Sequence, residues 1–296
     1  MDLIDAPKHH DLIYDVGLHK GEDAAFYLRK GFRVVAFEAD PVLAAGARTR
    51  LADEVTSGQL TIVEGAVVGA EAGETLPATI PFHRNDRHSW WGTLHHDWAD
   101  RNAKLGSPST VVNVKVVDFV SVLREHGVPH YLKIDIEGGD LACVGALRRF
   151  RERPTYVSIE SSKTNIAEIA REVDALAELR YNAFQAVEQS AVPERVPPSP
   201  PREGRHVDWR FEIGSSGLFG KELDDAWRSR QAVLRQYRAI LRGYDLLGDH
   251  GRLRPLSFPG AWVLRGVVRR IVRLSTGAAV PGWYDTHARL STALRD

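Results

Sequence analysis

Apolar runs of four to six residues alternate with helix-like segments along the first two thirds of the chain. Five of these runs predict buried strands, at residues 12–16, 33–37, 60–63, 131–136 and 155–159. Four other segments predict helices, at residues 22–29, 41–54, 140–149 and 165–179. Asp40 and Asp118 are predicted N-caps, the latter of a helix before the fourth strand. Alternating strands and helices predict an α/β fold with a doubly wound, mostly parallel sheet covered by helices on both faces.

Two segments interrupt this alternation. Residues 71–117 form a long insertion that includes HRNDRHSWWGTLHHDWADRN, which is dense in His and Trp. Residues 190–206 are rich in proline and predict an irregular loop, after which a strand is predicted at 208–213 and a mostly helical tail. The sequence therefore predicts a ligand-binding domain at 1–220 and a helical C-terminal extension at 221–296.

Composition and charge narrow the class of protein. The formal net charge of zero disfavours a bulk nucleic-acid binder, which normally carries a basic excess. Cys143 is the only cysteine, so no intrachain disulfide is expected. The first residues lack the features of a signal peptide, and no apolar run approaches the ~18 residues of a membrane-spanning helix. A cytoplasmic location is therefore expected.

Carboxylates recur at the C-terminal ends of the predicted strands. The set is Asp15, Glu38, Asp135, Glu137 and Glu160. A charge inside a two-faced sheet is costly unless it is paired or open to a pocket, whereas the C-terminal edge of a parallel sheet is where ligands bind. The pattern therefore predicts a ligand site along this edge.

The turn after the first strand has the spacing D-x-G-x-x-x-G, formed by Asp15, Gly17 and Gly21. This spacing differs from the G-x-G-x-x-G of dinucleotide sites, and the looser turn suits a cofactor with an amino-acid tail. Glu38 follows at the end of the second strand, where an acidic side chain can accept both hydroxyls of a ribose. The alternative interpretation is that the two glycines only shape a turn and that Glu38 is a solvated surface residue that binds no ligand.

Three segments resemble the FkbM-type S-adenosylmethionine-dependent methyltransferases: IYDVGLHKGEDAAFYLRKGFRVVAFEADP, YLKIDIEGGD and YVSIE. The resemblance spans about residues 11–190, and K-I-D-I-E-G is its most specific part. The tail fragments SSGLFGKEL and GWYDTHA resemble a subset of the family. The turn departs from the family pattern, because Leu18, His19 and Lys20 replace the small or amide residues common there.

The resemblance implies a class I, Rossmann-like enzyme that uses S-adenosylmethionine to methylate hydroxyl oxygens of polyketides, sugars and related metabolites. The resemblance implies that Asp15 and Gly17, with Gly21 in the same turn, face the methionyl part of the cofactor. It further implies that Glu38 lies at the ribose and that Glu64 and Ala66 lie near the adenine. Asp135 would lie beside the reacting centre. The expected partner is therefore a small-molecule or glycan hydroxyl. An oxidoreductase with a nucleotide cofactor and a non-catalytic binding protein remain alternatives.

Asp135 is the first candidate for a general base or an acceptor-orienting group. Lys133 and Glu137 are its neighbours on the same strand face, so Lys133 could lower the pKa of Asp135 or pair with Glu137. A structural salt bridge is the alternative role for these groups. His88 is a second candidate base, carried with Trp90 by the insertion as part of a substrate lid.

A divalent cation is possible but not favoured, and no metal-binding residue is predicted. His95 with Asp97, or Asp135 with Glu137, could hold one, but neither spacing matches a strong metal signature.

Residues 261–274 (AWVLRGVVRRIVRL) predict an amphipathic basic helix. Arg265, Arg269 and Arg273 recur at helical spacing beside an apolar stripe. Such a helix could contact an anionic membrane surface or a phosphorylated substrate, or it could pack on the domain with solvated arginines. The sequence leaves the oligomeric state open.

Overall fold

The computed structural model describes residues 3–69, 75–136, 139–162, 165–247, 261–276 and 282–290. Its strands are β1 (Lys8–Val16), β2 (Arg33–Glu38), β3 (Leu60–Glu64), β4 (Ala66–Val67), β5 (Thr79–Arg84), β6 (Thr110–Val117), β7 (Val128–Ile134), β8 (Tyr156–Glu160), β9 (Ala183–Glu188) and β10 (Tyr284–Arg289). Its α-helices are α1 (Glu22–Arg29), α2 (Pro41–Arg50), α3 (Ala52–Thr56), α4 (His96–Lys104), α5 (Phe119–His126), α6 (Asp140–Leu147), α7 (Ile166–Glu178), α8 (Arg230–Leu247) and α9 (Ala261–Thr276).

The central sheet has the strand order β3-β2-β1-β7-β8-β10-β9. Strands β3, β2, β1, β7 and β8 pair in parallel, and β10 pairs antiparallel with both β8 and β9. The chain builds outward from β1 to β3 and then returns to place β7 on the other side of β1. The strand order therefore reverses between β1 and β7, which is where open α/β sheets bind ligands.

Apolar side chains alternate across the strands and fill both faces of this sheet. Along β1, Leu12, Tyr14 and Val16 pack in the cluster that includes α5, α6, α7 and α8. Ile13 points to the opposite face, where α1 and residues 211–219 cover the sheet. The predicted doubly wound, mostly parallel fold is confirmed.

The five predicted strands correspond to β1, β2, β3, β7 and β8. The predicted caps are also confirmed, because the side chains of Asp40 and Asp118 accept hydrogen bonds from Val42 N and Val120 N. The predicted helix at 41–54 is instead two helices, α2 and α3, that meet at Leu51.

One expectation about the later part of the chain needs correction. The segment predicted as a strand at 208–213 is irregular, and its Trp209 and Phe211 pack against Phe26 of α1. Strand β10, which belongs to the mostly helical extension expected at 221–296, lies between β8 and β9 of the central sheet. The insertion contributes β5 and β6 to a second, small sheet of order β4-β6-β5.

Among the residues that the structure describes, no helix combines the length and the apolar composition needed to cross a bilayer.

Candidate functional site

The C-terminal ends of β1 and β7 lie side by side and hold a buried ionic cluster. Asp15 of β1 is opposite Lys133 of β7 in the parallel register. The Lys133 Nζ atom lies 3.1 Å from Asp15 Oδ1, 3.5 Å from Asp23 Oδ2 and 3.8 Å from Asp135 Oδ2. It also donates a hydrogen bond to the Gly17 carbonyl oxygen at 2.9 Å. One lysine therefore ties together the ends of β1 and β7, the glycine turn and the first turn of α1.

Burial governs the electrostatics of this cluster. Burial alone would lower the pKa of Lys133, but Asp15, Asp135 and Asp23 together raise it well above its ordinary value. For Asp15, burial raises the pKa to about 7 even though Lys133 opposes the shift. The 3.1 Å approach of Lys133 to Asp15 lacks the alignment of a directed hydrogen bond, and neither Asp15 oxygen accepts one from the described residues.

Asp135 differs from the rest of the cluster in being accessible. About 37% of its side chain is exposed, against 5% for Lys133 and none for Asp15. Its backbone N–H donates to the Val16 carbonyl oxygen at 2.9 Å, which fixes it at the end of β7. The cluster therefore presents one carboxylate outward, with its charge partner buried behind it.

The glycine turn is packed so closely that only glycine fits at its first position. Gly17 has φ +94°, and a Cβ atom there would lie 2.0 Å from the Asp135 carbonyl oxygen. Gly21, with φ +86°, is the N-cap of α1. The N–H groups of Gly17 and Leu18 both donate to the Phe37 carbonyl oxygen, at 3.1 and 2.9 Å, so the turn is also held to β2.

Glu38, at the end of β2, is a buried carboxylate beside this turn. Its two oxygens accept backbone N–H groups, one from His19 at 2.7 Å and one from Asp40 at 2.8 Å. Burial raises the pKa of Glu38 to about 7, although both hydrogen bonds favour the charged form. Because each carboxylate oxygen can accept a second hydrogen bond, Glu38 retains capacity for two further donors.

Glu64 ends β3 at the same edge of the central sheet, and Ala66 begins β4 of the small sheet two residues later. Glu64 is opposite Glu38 in the register of β2 and β3, and Arg48 of α2 pairs with it at 2.7 Å. Ala66 is buried in β4. Between them, Gly65 N donates to the Glu38 carbonyl oxygen at 2.8 Å. The structure therefore brings the predicted ribose and adenine residues to one end of the sheet.

The insertion reaches the glycine turn through His19. The imidazole Nε2 of His19 lies 2.7 Å from Ser89 Oγ, and its Nδ1 lies 3.1 Å from Glu22 Oε1. Trp90 packs edge-on against the same ring, with 6.3 Å between the ring centroids. His88, the predicted imidazole base, precedes Ser89, and its ring lies 4.4 Å from that of Trp91. His19, which the sequence marked only as a departure from the family turn, is therefore the contact between the turn and the insertion.

Two carboxylates of this region were not predicted. Asp23 of α1 is buried and accepts Ser216 N with both oxygens, at 2.9 and 3.0 Å. Asp285 of β10 is opposite Glu160 of β8, and burial, with Asp135 and Glu160 nearby, raises its pKa well above the ordinary value. The signal that could have found them was the pair of tail fragments SSGLFGKEL and GWYDTHA, which contain Ser216 and Asp285.

Among the described residues, no three His, Cys, Asp or Glu side chains are grouped so that they could hold a metal ion. Glu137, one of the two groups in the cation pair considered with Asp135, lies outside the described residues.

The comparisons with solved structures give distant likenesses. One is the precorrin-6y C5,15-methyltransferase of Geobacter metallireducens GS-15, at 16% identity over 62% of this chain and 70% of that chain, with a TM-score of 0.31. Another is a SAM-dependent methyltransferase of Thiobacillus denitrificans in complex with S-adenosyl-L-homocysteine, at 9% identity over 95% of this chain and 85% of that chain, with a TM-score of 0.34. TM-scores this low do not assign a function to the chain.

A search of curated proteins finds no match to this chain. The model of the methyltransferase FkbM domain matches residues 15–186, which is more than half of the chain and includes the C-terminal end of β1 and all of β2, β7 and β8. The chain therefore belongs to the FkbM methyltransferase family and is a methyltransferase dependent on S-adenosylmethionine.

Proposed function

We propose that this enzyme is an O-methyltransferase that acts on a hydroxyl of a small-molecule natural product or of a sugar or glycan. The observation that carries the proposal is the exposed carboxylate of Asp135 at the switch point between β1 and β7, with the buried cation of Lys133 behind it. An oriented carboxylate at this point is what a neutral hydroxyl acceptor requires, because the hydroxyl loses its proton as the new bond forms.

The donor supplies an electrophilic methyl group on a sulfonium centre. We assign its contacts to residues along the acidic edge: Glu38 accepts the ribose hydroxyls, Glu64 and Ala66 border the adenine, and Gly17 and Gly21 shape the turn at the methionine end. The unused acceptor capacity of the buried Glu38 carboxylate supports this fit, since a buried carboxylate with a raised pKa gains most from added donors.

The charge of the edge also suits this donor better than a dinucleotide. Asp15, Glu38 and Asp135 converge near the turn, where a pyrophosphate would meet carboxylates of its own sign of charge. A cationic sulfonium and an amino group would meet charges of opposite sign there. The observed cluster therefore favours the methyltransferase over the oxidoreductase alternative.

For the acceptor side, we propose that Asp135 orients the hydroxyl and takes its proton, so that the oxygen is aligned with the methyl carbon. Lys133 is too enclosed to reach an acceptor, and we assign it the positioning of Asp135, Asp15 and the turn. His88 and the exposed Trp90 lie on the insertion beside the turn, where they would border the acceptor.

Two measurements, made one after the other, test the proposal. Calorimetry of the full chain should show binding of S-adenosylhomocysteine and none of NAD, and Glu38→Ala should weaken that binding. Transfer of an isotopically labelled methyl group to a panel of hydroxyl, amine and thiol acceptors should then label oxygen. Label found on nitrogen, sulfur or carbon would refute O-methylation while leaving the methyltransferase assignment in place.

A variant of Asp135 tests its catalytic role. Asp135→Asn should leave affinity for S-adenosylhomocysteine within a few-fold, because the residue orients the acceptor. It should lower turnover by at least ~10²-fold, since the amide cannot take a proton. Asp97→Asn, in α4 of the insertion, is a matched control and should retain turnover. Unchanged turnover in Asp135→Asn would remove Asp135 from this role.

A further inference from the structure

Helix α9 packs on the rest of the protein with only part of its apolar surface. Val268 and Val272 contact Tyr244 and Leu247 of α8 and form a small apolar cluster with them. The sequence alone was compatible with a helix whose whole apolar stripe packs on the rest of the protein. The structure instead divides the stripe, because Val267 and Ile271 lie outside that contact.

The uncovered part is a continuous apolar strip. Val263, Val267 and Ile271 recur every four residues and are 46%, 50% and 58% exposed, and Trp262 beside them is 74% exposed. Residues four apart lie on one face of a helix, so these side chains are neighbours. Single exposed apolar residues are ordinary, but a row of three with a tryptophan at one end indicates an interaction surface.

The same helix carries the positive charge of this region. Arg269, Arg270 and Arg273 are exposed on α9. Residues 250–284 contain six arginines and no aspartate or glutamate, although the whole chain has no net charge. Positive charge is therefore concentrated in this segment of an otherwise balanced sequence, and its three described arginines lie on the same helix as the apolar strip, so an anionic surface complements them.

We propose that α9 is a peripheral membrane-binding helix that docks on an anionic lipid surface. Its apolar strip would lie in the boundary between headgroups and acyl chains, parallel to the membrane plane. The flanking arginines would reach the lipid phosphates, and Trp262 suits the interface because its ring is apolar and its N–H is polar. A second copy of the chain fits less well, because pairing two such strips would bring both sets of arginines together.

The proposal is tested by flotation of the full chain with vesicles. One set contains phosphatidylglycerol mixed with phosphatidylcholine, and the other contains phosphatidylcholine alone. The test variants are Val267→Asp/Ile271→Asp and Arg269→Gln/Arg270→Gln. The matched controls are Val196→Asp, at a residue 75% exposed in a loop, and Arg124→Gln, at an exposed residue of α5.

The expected result is binding to the anionic vesicles that falls as salt rises. Replacing the arginine pair should lower binding about 25-fold, since each arginine near an anionic surface adds roughly fivefold to the affinity. The aspartate pair should lower binding by at least ~10-fold, because it removes the apolar insertion. Both controls should bind as the wild type does. Quenching of tryptophan fluorescence by brominated lipid should be weaker in Trp262→Phe.

Three results would overturn the proposal. The first is equal binding, or no binding, to both kinds of vesicle. The second is a loss in the controls as large as the loss in the test variants. The third is a dimer in lipid-free solution, seen by light scattering, that the aspartate pair dissociates, because the apolar strip would then belong to a second copy of the chain.

Discussion

Lys133 shows how one buried side chain organises the candidate site. The sequence placed it on the same strand face as Asp135 and left open whether it pairs with Asp135 or Glu137. The structure adds Asp15 and Asp23, which are buried and share the same cation. Each buried carboxylate requires compensation for its lost hydration, so the first role of Lys133 is to stabilise the folded cluster.

We expect Lys133→Met to lower the free energy of unfolding by ~3–5 kcal/mol near neutral pH, because it leaves two buried carboxylates without a cation. Urea denaturation followed by circular dichroism measures this loss. The exposed Lys115→Met on β6 is the matched control and should change stability by less than ~0.5 kcal/mol. Equal effects in the two variants would show that the buried cluster does not need its cation.

Glu38 predicts a specific pH dependence of stability. Its pKa in the folded state is about 7, above the ordinary value of 4.5, so the folded state holds a proton that the unfolded state releases. Glu38 therefore destabilises the fold as pH rises from about 4.5 to about 7. Glu38→Gln should remove this component, so the variant should gain stability relative to the wild type as pH rises through that window.

The comparison must be made between variant and wild type at each pH, using thermal or urea unfolding. Burial lowers the pKa of His287 to about 3, so this residue increases stability as pH rises over part of the same window. That contribution is common to both proteins and cancels in the difference. A constant difference between pH 4.5 and 7 would contradict the raised pKa of Glu38.

At the scale of elements, a hydrogen bond between His19 and Ser89 joins the glycine turn to the insertion. His19 has φ 53°, in the left-handed region that histidine and asparagine tolerate better than most residues. Its backbone N–H donates a hydrogen bond to the Glu38 carboxylate, whereas its side chain forms a hydrogen bond with the Ser89 hydroxyl. The backbone and the side chain of one residue therefore connect the proposed cofactor site with the proposed acceptor border.

His19→Asn separates these two roles, because asparagine keeps the left-handed backbone but is too short to hold Ser89. We expect affinity for S-adenosylhomocysteine to stay within a few-fold. Tryptic cleavage after the exposed Arg87 should become about fivefold faster, since a lost hydrogen bond of ~1 kcal/mol eases local opening. Ser57→Ala, at an exposed serine outside the contact, is the control. A large loss of affinity with unchanged cleavage would refute this division of roles.

At the scale of the whole molecule, the end of the chain completes the sheet that its beginning starts. Strand β10 follows α8 and α9 in the chain but lies between β8 and β9. Thr286 of β10, Ser161 after β8 and Tyr237 of α8 form a buried triangle of hydroxyls with contacts of 2.7 to 2.9 Å. The C-terminal segment is therefore part of the fold that carries the site.

We expect Thr286→Val to lower the global unfolding free energy by ~1–3 kcal/mol, because it removes one member of a buried hydrogen-bond network. The unfolding transition should remain single, since β10 is held by strands on both sides. Thr79→Val, at an exposed position of β5, is the control for the substitution itself. A separate early transition would show instead that the C-terminal segment unfolds on its own.

The sequence by itself determined the elements whose signals are local. The alternation of apolar runs, the glycine turn and the caps at Asp40 and Asp118 depend on neighbours within a few residues, and the structure confirms the fold that they predict. The position of the carboxylates at one edge of the sheet could also be predicted, because the direction of a parallel strand decides at which edge its last residue lies.

Only the tertiary structure decided which distant groups meet. The pairing of Lys133 with Asp23, the contact of His19 with Ser89 and the placement of Asp285 beside Glu160 join segments separated by about 70 to more than 100 residues. It also decided that β10, which no local pattern marked, fills the gap between β8 and β9. The physical reason is that unpaired strand edges and buried charges are satisfied by whichever partner the fold brings near, and a local pattern does not contain that information.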